Sequence, residues 1–426
     1  MSTLHAAFAA ALLCLSMHAR AQPAPALTLD DAIARVADTH PDLRLIDSRA
    51  KVLDAERELA SLRPALVAGV SIENALGSGD VRGFDDAELT LSLASVLERG
   101  GKLDARRVFA QTRIDALAIE RETRRLDLLA EVARRYLAVI GAQGHVQIAQ
   151  GDIDQRQRTV AAARQRLKAG ASPESVVLTA EAALARAELD HARGTQQERA
   201  ARQHLAALWG ERNPDFTVAF ADPTVLADIE SAAALADLLE QTPELTQFSG
   251  EQRIREARLQ LARSNASADL SWQLGVRRLQ ATDDVGLVAS LSMPLGARHR
   301  ARPEIDAAEA ELSLLGIERE AKDMALYSTL IEAHGRYRIS QLEVNRLRDE
   351  ILPKLGQAER AAERAYRAGA ISYLEWAQLQ SESSSTRRQQ LEVALDAQRA
   401  LIEIQRLTGQ AFIAAPTASA QQGIAQ

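Results

Sequence analysis

Six histidines lie beyond the N-terminal leader of this 426-residue chain: His40, His145, His191, His204, His299 and His334. A metal centre would need several of them, or histidines with carboxylates, at spacings that gather the ligands, as in H-E-x-x-H. None has such a spacing, and the Glu332–His334 pair reads as ordinary helix surface. The other two histidines, His5 and His18, and the only cysteine, Cys14, fall in the leader. The mature chain then offers no thiolate ligand and no disulfide. There is no G-x-S-x-G elbow, no glycine-rich phosphate loop and no paired-carboxylate signature. The reading is no catalytic residue, no cofactor, no resident metal and no enzyme. The formal net charge of −7 also argues against a nucleic-acid partner.

With no chemistry to position, the composition describes a scaffold. Aromatic residues are 4% and charged residues 26%, too few rings for a compact enzyme core and the right mixture for long solvated helices. The leader "LHAAFAAALLCLSMHARAQ" is an apolar run closed by Ala19-Arg20-Ala21, so Met1–Ala21 reads as a secretory signal. Lipidation of Cys14 needs a small residue before it, and Leu13 stands there. After the leader no apolar run reaches the length of about 18 residues that a membrane helix needs. An exported chain of this kind is either soluble or part of an outer-membrane barrel.

The mature chain is a tandem duplication. Pro41, Leu43, Ala55 and Leu59-Ala60 match Pro243, Leu245, Ala257 and Leu261-Ala262 at an offset of 202 residues. "IERE" occurs at Ile119–Glu122 and Ile317–Glu320, an offset of 198. "KAGAS" (Lys168–Ser172) matches "RAGAIS" (Arg367–Ser372), and Leu208-Trp209-Gly210 matches Leu407-Thr408-Gly409, both at 199. The repeats span 28–210 and 231–409, with a linker at 211–230 and a flexible tail at 410–426. Each holds a helix pair, two strands of about ten residues, a helix of roughly 100 Å and a further helix. Strands are expected near 65–76, 86–97, 268–279 and 284–295. Leu89, Leu91 and Leu93 alternate with Thr90, Ser92 and Ala94; Leu287, Ala289, Leu291 and Met293 alternate with Gly286, Val288, Ser290 and Ser292. Period two with one apolar face, at this length, suits an oblique bilayer span. The long helices are expected over 103–168 and 303–367, interrupted at similar depth by Gly141, Gly144 and Gly151 and by Pro353 and Gly356. Gly170 and Gly369 stop them at two tips, 169–172 and 368–372.

Four strands cannot close a barrel, and open edges in lipid leave backbone groups unpaired. Several chains must pool their strands, and three would give twelve. The fold class is therefore mainly α with a small β part. Each chain brings two long helical hairpins and adds four strands to a shared transmembrane β-barrel.

"LTLDDAIARVADTHPDL" at the mature start, "SLSMPLG" before the second long helix and "RAGAISYLEWAQLQSE" at the second tip resemble the TolC family of outer-membrane efflux proteins. The likeness runs over nearly the whole mature length. More loosely, the chain resembles the branch serving heavy-metal pumps of the cobalt–zinc–cadmium type. The resemblance implies a homotrimer in outer-membrane lipid with a helical barrel in the periplasm. It implies docking by the tips onto a periplasmic adaptor (membrane fusion) protein and an inner-membrane efflux pump. It places the adaptor contact on Ala169, Gly170, Ala171, Ser172, Ala368, Gly369, Ala370 and Ser372. Glu375 falls where some members carry the first acid of the closed pore, with Glu174 near the equivalent place in the first repeat; Gln378 replaces the second acid. The function implied is a passive exit duct, with metal cations as the first client. Drug efflux, type I protein secretion and a soluble periplasmic coiled-coil scaffold are the alternatives.

Overall fold

A computed structural model describes residues 26–412. The signal Met1–Ala21 and most of the tail, 413–426, lie outside the described residues. The first helices start where side chains can hold free N–H groups. Thr28 caps α1 (Leu29–Thr39) in a reciprocal box: its hydroxyl accepts from Asp31 N at 3.2 Å, while the Asp31 carboxylate accepts from Thr28 N at 3.0 Å. His40 ends α1 and caps α2 (Pro41–Ala60), where Pro41 takes the first position and loses no helical bond.

The strands are β1 (Val67–Glu73) and β2 (Glu88–Leu97) in one hairpin and β3 (Leu270–Leu279) and β4 (Asp284–Ser292) in the other. They form one antiparallel sheet in the order β1-β2-β3-β4. Every helical connection joins the sheet at one end, and the two hairpin connections, 74–87 and 280–283, lie at the other. Both edges, β1 and β4, are open.

Glycines in the αL conformation start the long helices. Gly101 precedes α3 (Lys102–Lys168) and Gly296 precedes α7 (Ala297–Arg346). The second tract therefore begins six residues before Pro303, which is carried inside the helix. The expected break at Gly141, Gly144 and Gly151 is absent: α3 is continuous over 67 residues, about 100 Å. Two of those glycines serve packing. A Cβ on Gly141 would stand 2.7 Å from Leu395 Cδ1, and one on Gly144 2.9 Å from Leu391 Cδ2, so α3 accepts leucines of the last helix against its bare backbone. The second tract does deviate, through a π turn at Leu347–Ile351 just before α8 (Leu352–Ala368). Pro353 lacks an N–H and its ring crowds the carbonyl four residues back; the wider turn accommodates both.

Helices α4 (Glu174–Ala206) and α9 (Tyr373–Thr408) return from the tips along α3 and α7–α8. Helices α5 (Ala232–Asp237) and α6 (Pro243–Ser264) complete the second repeat. Two apolar clusters lie at mid-height. One joins Leu27, Val36, Val132, Tyr136, Leu205 and Val218; the other joins Leu235, Leu330, Tyr337, Ile404 and Leu407. Each cluster holds a buried tyrosine on a long helix that reaches irregular backbone. Tyr136 Oη lies 3.2 Å from Leu27 O and 3.1 Å from Ala219 O, and Tyr337 Oη donates to Ala227 O. These tyrosines sit 201 residues apart, one more register mark of the duplication.

Candidate functional site

The two tips are built alike. At the first, Gly170 (φ +69°) caps α3, with Ala171 N donating to Arg166 O at 2.9 Å and Gly170 N to Leu167 O at 2.9 Å. At the second, Gly369 (φ +80°) caps α8, with Ala370 N donating to Ala365 O at 2.8 Å and Gly369 N to Tyr366 O at 3.0 Å. Both are Schellman turns, which require αL backbone at the glycine and satisfy the last helical carbonyls. Ala169, Gly170, Ala171, Ala368, Gly369, Ala370 and Ser372 are exposed; Ser172 is half-buried.

The restarts differ. Pro173 precedes α4 without a side-chain cap, and Glu174 stands exposed in its first turn. Ser372 caps α9 in a reciprocal box with Glu375. Its hydroxyl faces Glu375 N at 3.3 Å, and Glu375 Oε2 accepts from Ser372 N and from its hydroxyl, both at 2.8 Å. Those bonds, with the backbone N–H first, hold the Glu375 carboxyl below its ordinary value. The carboxylate is exposed and ionised, but it is turned back onto its own helix end.

Sequence reasoning missed the residue that joins the tips. Arg166, near the end of α3, donates through Nη1 to Tyr366 O at 2.5 Å and through Nη2 to Ala171 O at 3.1 Å. Its guanidinium also lies over the Tyr366 ring, 5.0 Å from the centroid. A cation at a helix C-terminus is a legible signal; its reach to the other tip is not. Beneath it Tyr366 and Trp376 pack with centroids 5.0 Å apart, both 2% exposed. Above the tips the α3–α9 contact turns polar. Gln380 Nε2 donates to Thr159 Oγ1 at 2.8 Å, and Asp152 takes Ser384 Oγ and, at 3.2 Å, Arg388 Nη1.

The histidines stay apart. His145 Nε2 lies 2.8 Å from Glu392, and His334 Nε2 lies 3.1 Å from Glu230 O. Among the described residues no group of three or more His, Cys, Asp or Glu is placed to hold a metal ion. The site offers exposed turns and fixed charges.

At the far end the sheet presents two unlike faces. Val70, Ile72, Leu89, Leu91, Leu93, Leu274, Val276, Leu287 and Leu291 are exposed on one; Leu287 is 89% exposed. The register puts Ser71, Thr90, Ser92, Gly275 and Ser290 on the other, and Thr90 is only 4% exposed, with the Arg277 side chain hydrogen-bonded to its hydroxyl. A bare apolar surface of this extent needs an apolar solvent. No described helix is long and apolar enough to cross a membrane, so any insertion rests on these strands.

Comparison with known proteins agrees with this architecture. Residues 32–211 match the family described as "Outer membrane efflux protein". The chain is 28% identical over 313 residues to the cobalt-zinc-cadmium resistance protein CzcC of Cupriavidus metallidurans, covering 74% of this chain and 75% of that one. In fold it is similar to CusC, with a TM-score of 0.76 and 18% identity over 90% of this chain and 92% of the other. It is also similar to the open state of the Neisseria gonorrhoeae MtrE outer membrane channel, with a TM-score of 0.72 and 17% identity over 91% of each chain.

Proposed function

Since the chain is an outer membrane efflux protein of the TolC family, we propose that it works as a homotrimeric exit duct for metal cations, docked by its tips to a periplasmic adaptor and an inner-membrane pump. One observation carries the oligomer: a sheet with an exposed apolar face and two open edges. Such a sheet is unstable in lipid unless β1 of one copy pairs with β4 of the next, and three copies supply twelve strands. The likeness to CzcC supports metal as the client. Ala169–Ser172 and Ala368–Ser372 are the surfaces offered to the adaptor, and Glu174 and Glu375 the charges nearest the aperture. The protein supplies no energy and no chemistry of its own; the pump drives export.

The test has two parts. Full-length protein in detergent should have the mass of three chains, and Leu91→Arg, on the lipid face at mid-strand, should cost about 2–4 kcal/mol of barrel stability and reduce membrane insertion. A monomer that does not fractionate with membranes would instead favour the soluble scaffold. A deletion strain should lose tolerance to cobalt, zinc or cadmium salts. Unchanged metal tolerance with lost drug tolerance, or with loss of a secreted protein, would transfer the duct to another client.

A further inference from the structure

The polar face of the sheet carries a charge cluster that docking and export leave unused. The β1–β2 register sets Glu73 directly opposite Glu88. Like charges so placed repel across the sheet. A single guanidinium answers both. Arg277 on β3 reaches Glu88 with Nη1 at 2.5 Å and Glu73 with Nη2 at 3.3 Å, and its Nε donates to Thr90 Oγ1 at 2.9 Å. Asn74 Nδ2 also donates to Glu88 at 3.0 Å. Two carboxylates share one cation, so each chain keeps a net negative charge on the face that a closed barrel turns to its lumen. The cluster lies at the turn end of the hairpins, opposite the end where the helices join.

The surrounding sequence amplifies it. Segments 73–88 and 277–284 hold seven carboxylates against three arginines, a charge of −4 out of the chain's −7. The tip segments 166–174 and 363–375 hold four cations against three carboxylates. Moreover, Glu375 is drawn into its helix cap. The two ends of the molecule therefore carry opposite fixed charge, and the stronger belongs to the strands.

We propose that Glu73, Glu88 and Arg277 form a ring at the outer mouth that sets the duct's preference for cations, in place of the tip acids. The ring rests on the trimeric barrel reading above. Three clusters facing one lumen act together on any ion passing within a Debye length, about 10 Å at 0.1 M salt. Arg277 holds two like charges in register and trims their total, so its loss should strengthen the preference.

The experiment is reversal potential across a potassium chloride gradient, with full-length protein in planar lipid bilayers. The native channel should prefer potassium. In Glu73→Gln/Glu88→Gln that preference should fall about twentyfold near 0.1 M salt, since six charges each felt at about one Debye length shift potassium and chloride about fivefold in opposite senses. It should rise in Arg277→Gln, and the differences should fade toward 1 M, where screening shortens to about 3 Å. If the double variant fails to insert, Glu73→Gln alone, which leaves Arg277 its Glu88 partner, should still move the potential in the same direction. An anion-preferring native channel overturns the ring. So do conducting variants with native potentials, or a potential that moves instead with Glu174→Gln and Glu375→Gln. A chain that stays monomeric and adds no conductance removes the duct reading itself, and the ring with it.

Discussion

At the residue scale, two tyrosines and one cap are the sharpest features. Burial pushes the Tyr136 and Tyr337 hydroxyls up to about 12. An unfolded tyrosine ionises near 10. The native state thus holds these protons more tightly, and the stability they confer is complete below pH 10 and lost as pH climbs from about 10 to 12. Ultraviolet titration should show Tyr136 and Tyr337 ionising late, with unfolding following them. Tyr136→Phe and Tyr337→Phe should each cost about 1 kcal/mol, one net hydrogen bond, measured by denaturant melts. At the second tip, Ser372→Ala should cost about 1 kcal/mol and speed hydrogen exchange in the first turn of α9. Glu375→Gln retains a cap-competent side chain and should leave that exchange near native, separating the cap from the charge. Since the cap holds the Glu375 carboxyl below its ordinary value, the charged cap is present at neutral pH and lost in acid. The Ser372-x-x-Glu375 spacing of a capping box was legible, but the sequence resemblance gave those residues to docking and to the pore. The tyrosine anchors and the Arg166 bridge were not legible, because their partners lie 109, 83 and 200 residues away.

At the element scale, local pattern sufficed wherever it had no tertiary rival. Period two marked all four strands, since lipid on one face and lumen on the other preserve the alternation. Gly170 and Gly369 marked the two tips. The pattern failed at Gly141 and Gly144, where an intrinsic helix penalty of about 1 kcal/mol per glycine suggested a break. The contact with Leu391 and Leu395 outweighs it. Gly141→Ala should therefore be close to neutral, because better helix propensity offsets a small shift of a leucine methyl. Gly141→Leu should cost about 1–3 kcal/mol by forcing α3 and α9 apart, read as a lowered melting temperature. Pro303 misled in the opposite sense: proline suits a helix start, but Gly296 already supplies the αL entry for α7.

At the scale of the whole molecule, closure is the property that one chain cannot have. The chain's single cysteine is Cys14, so a Cys14→Ser variant is a clean background for cross-linking. Cysteines scanned along β1 against others along β4 should form disulfides between copies only, giving dimer and trimer bands in denaturing gels. Bonds within single chains would refute the shared barrel. A difference between the repeats then acquires a mechanical meaning. The first runs from sheet to tip as one unbroken rod, α3. The second passes through the π turn at Leu347–Ile351, where the backbone ladder is already loosened. Torque applied at the tips should pass more directly up the first than through the π turn of the second. Around a trimer, three stiff struts alternate with three jointed ones. An assembly with six similar feet would thus yield under load with three-fold symmetry.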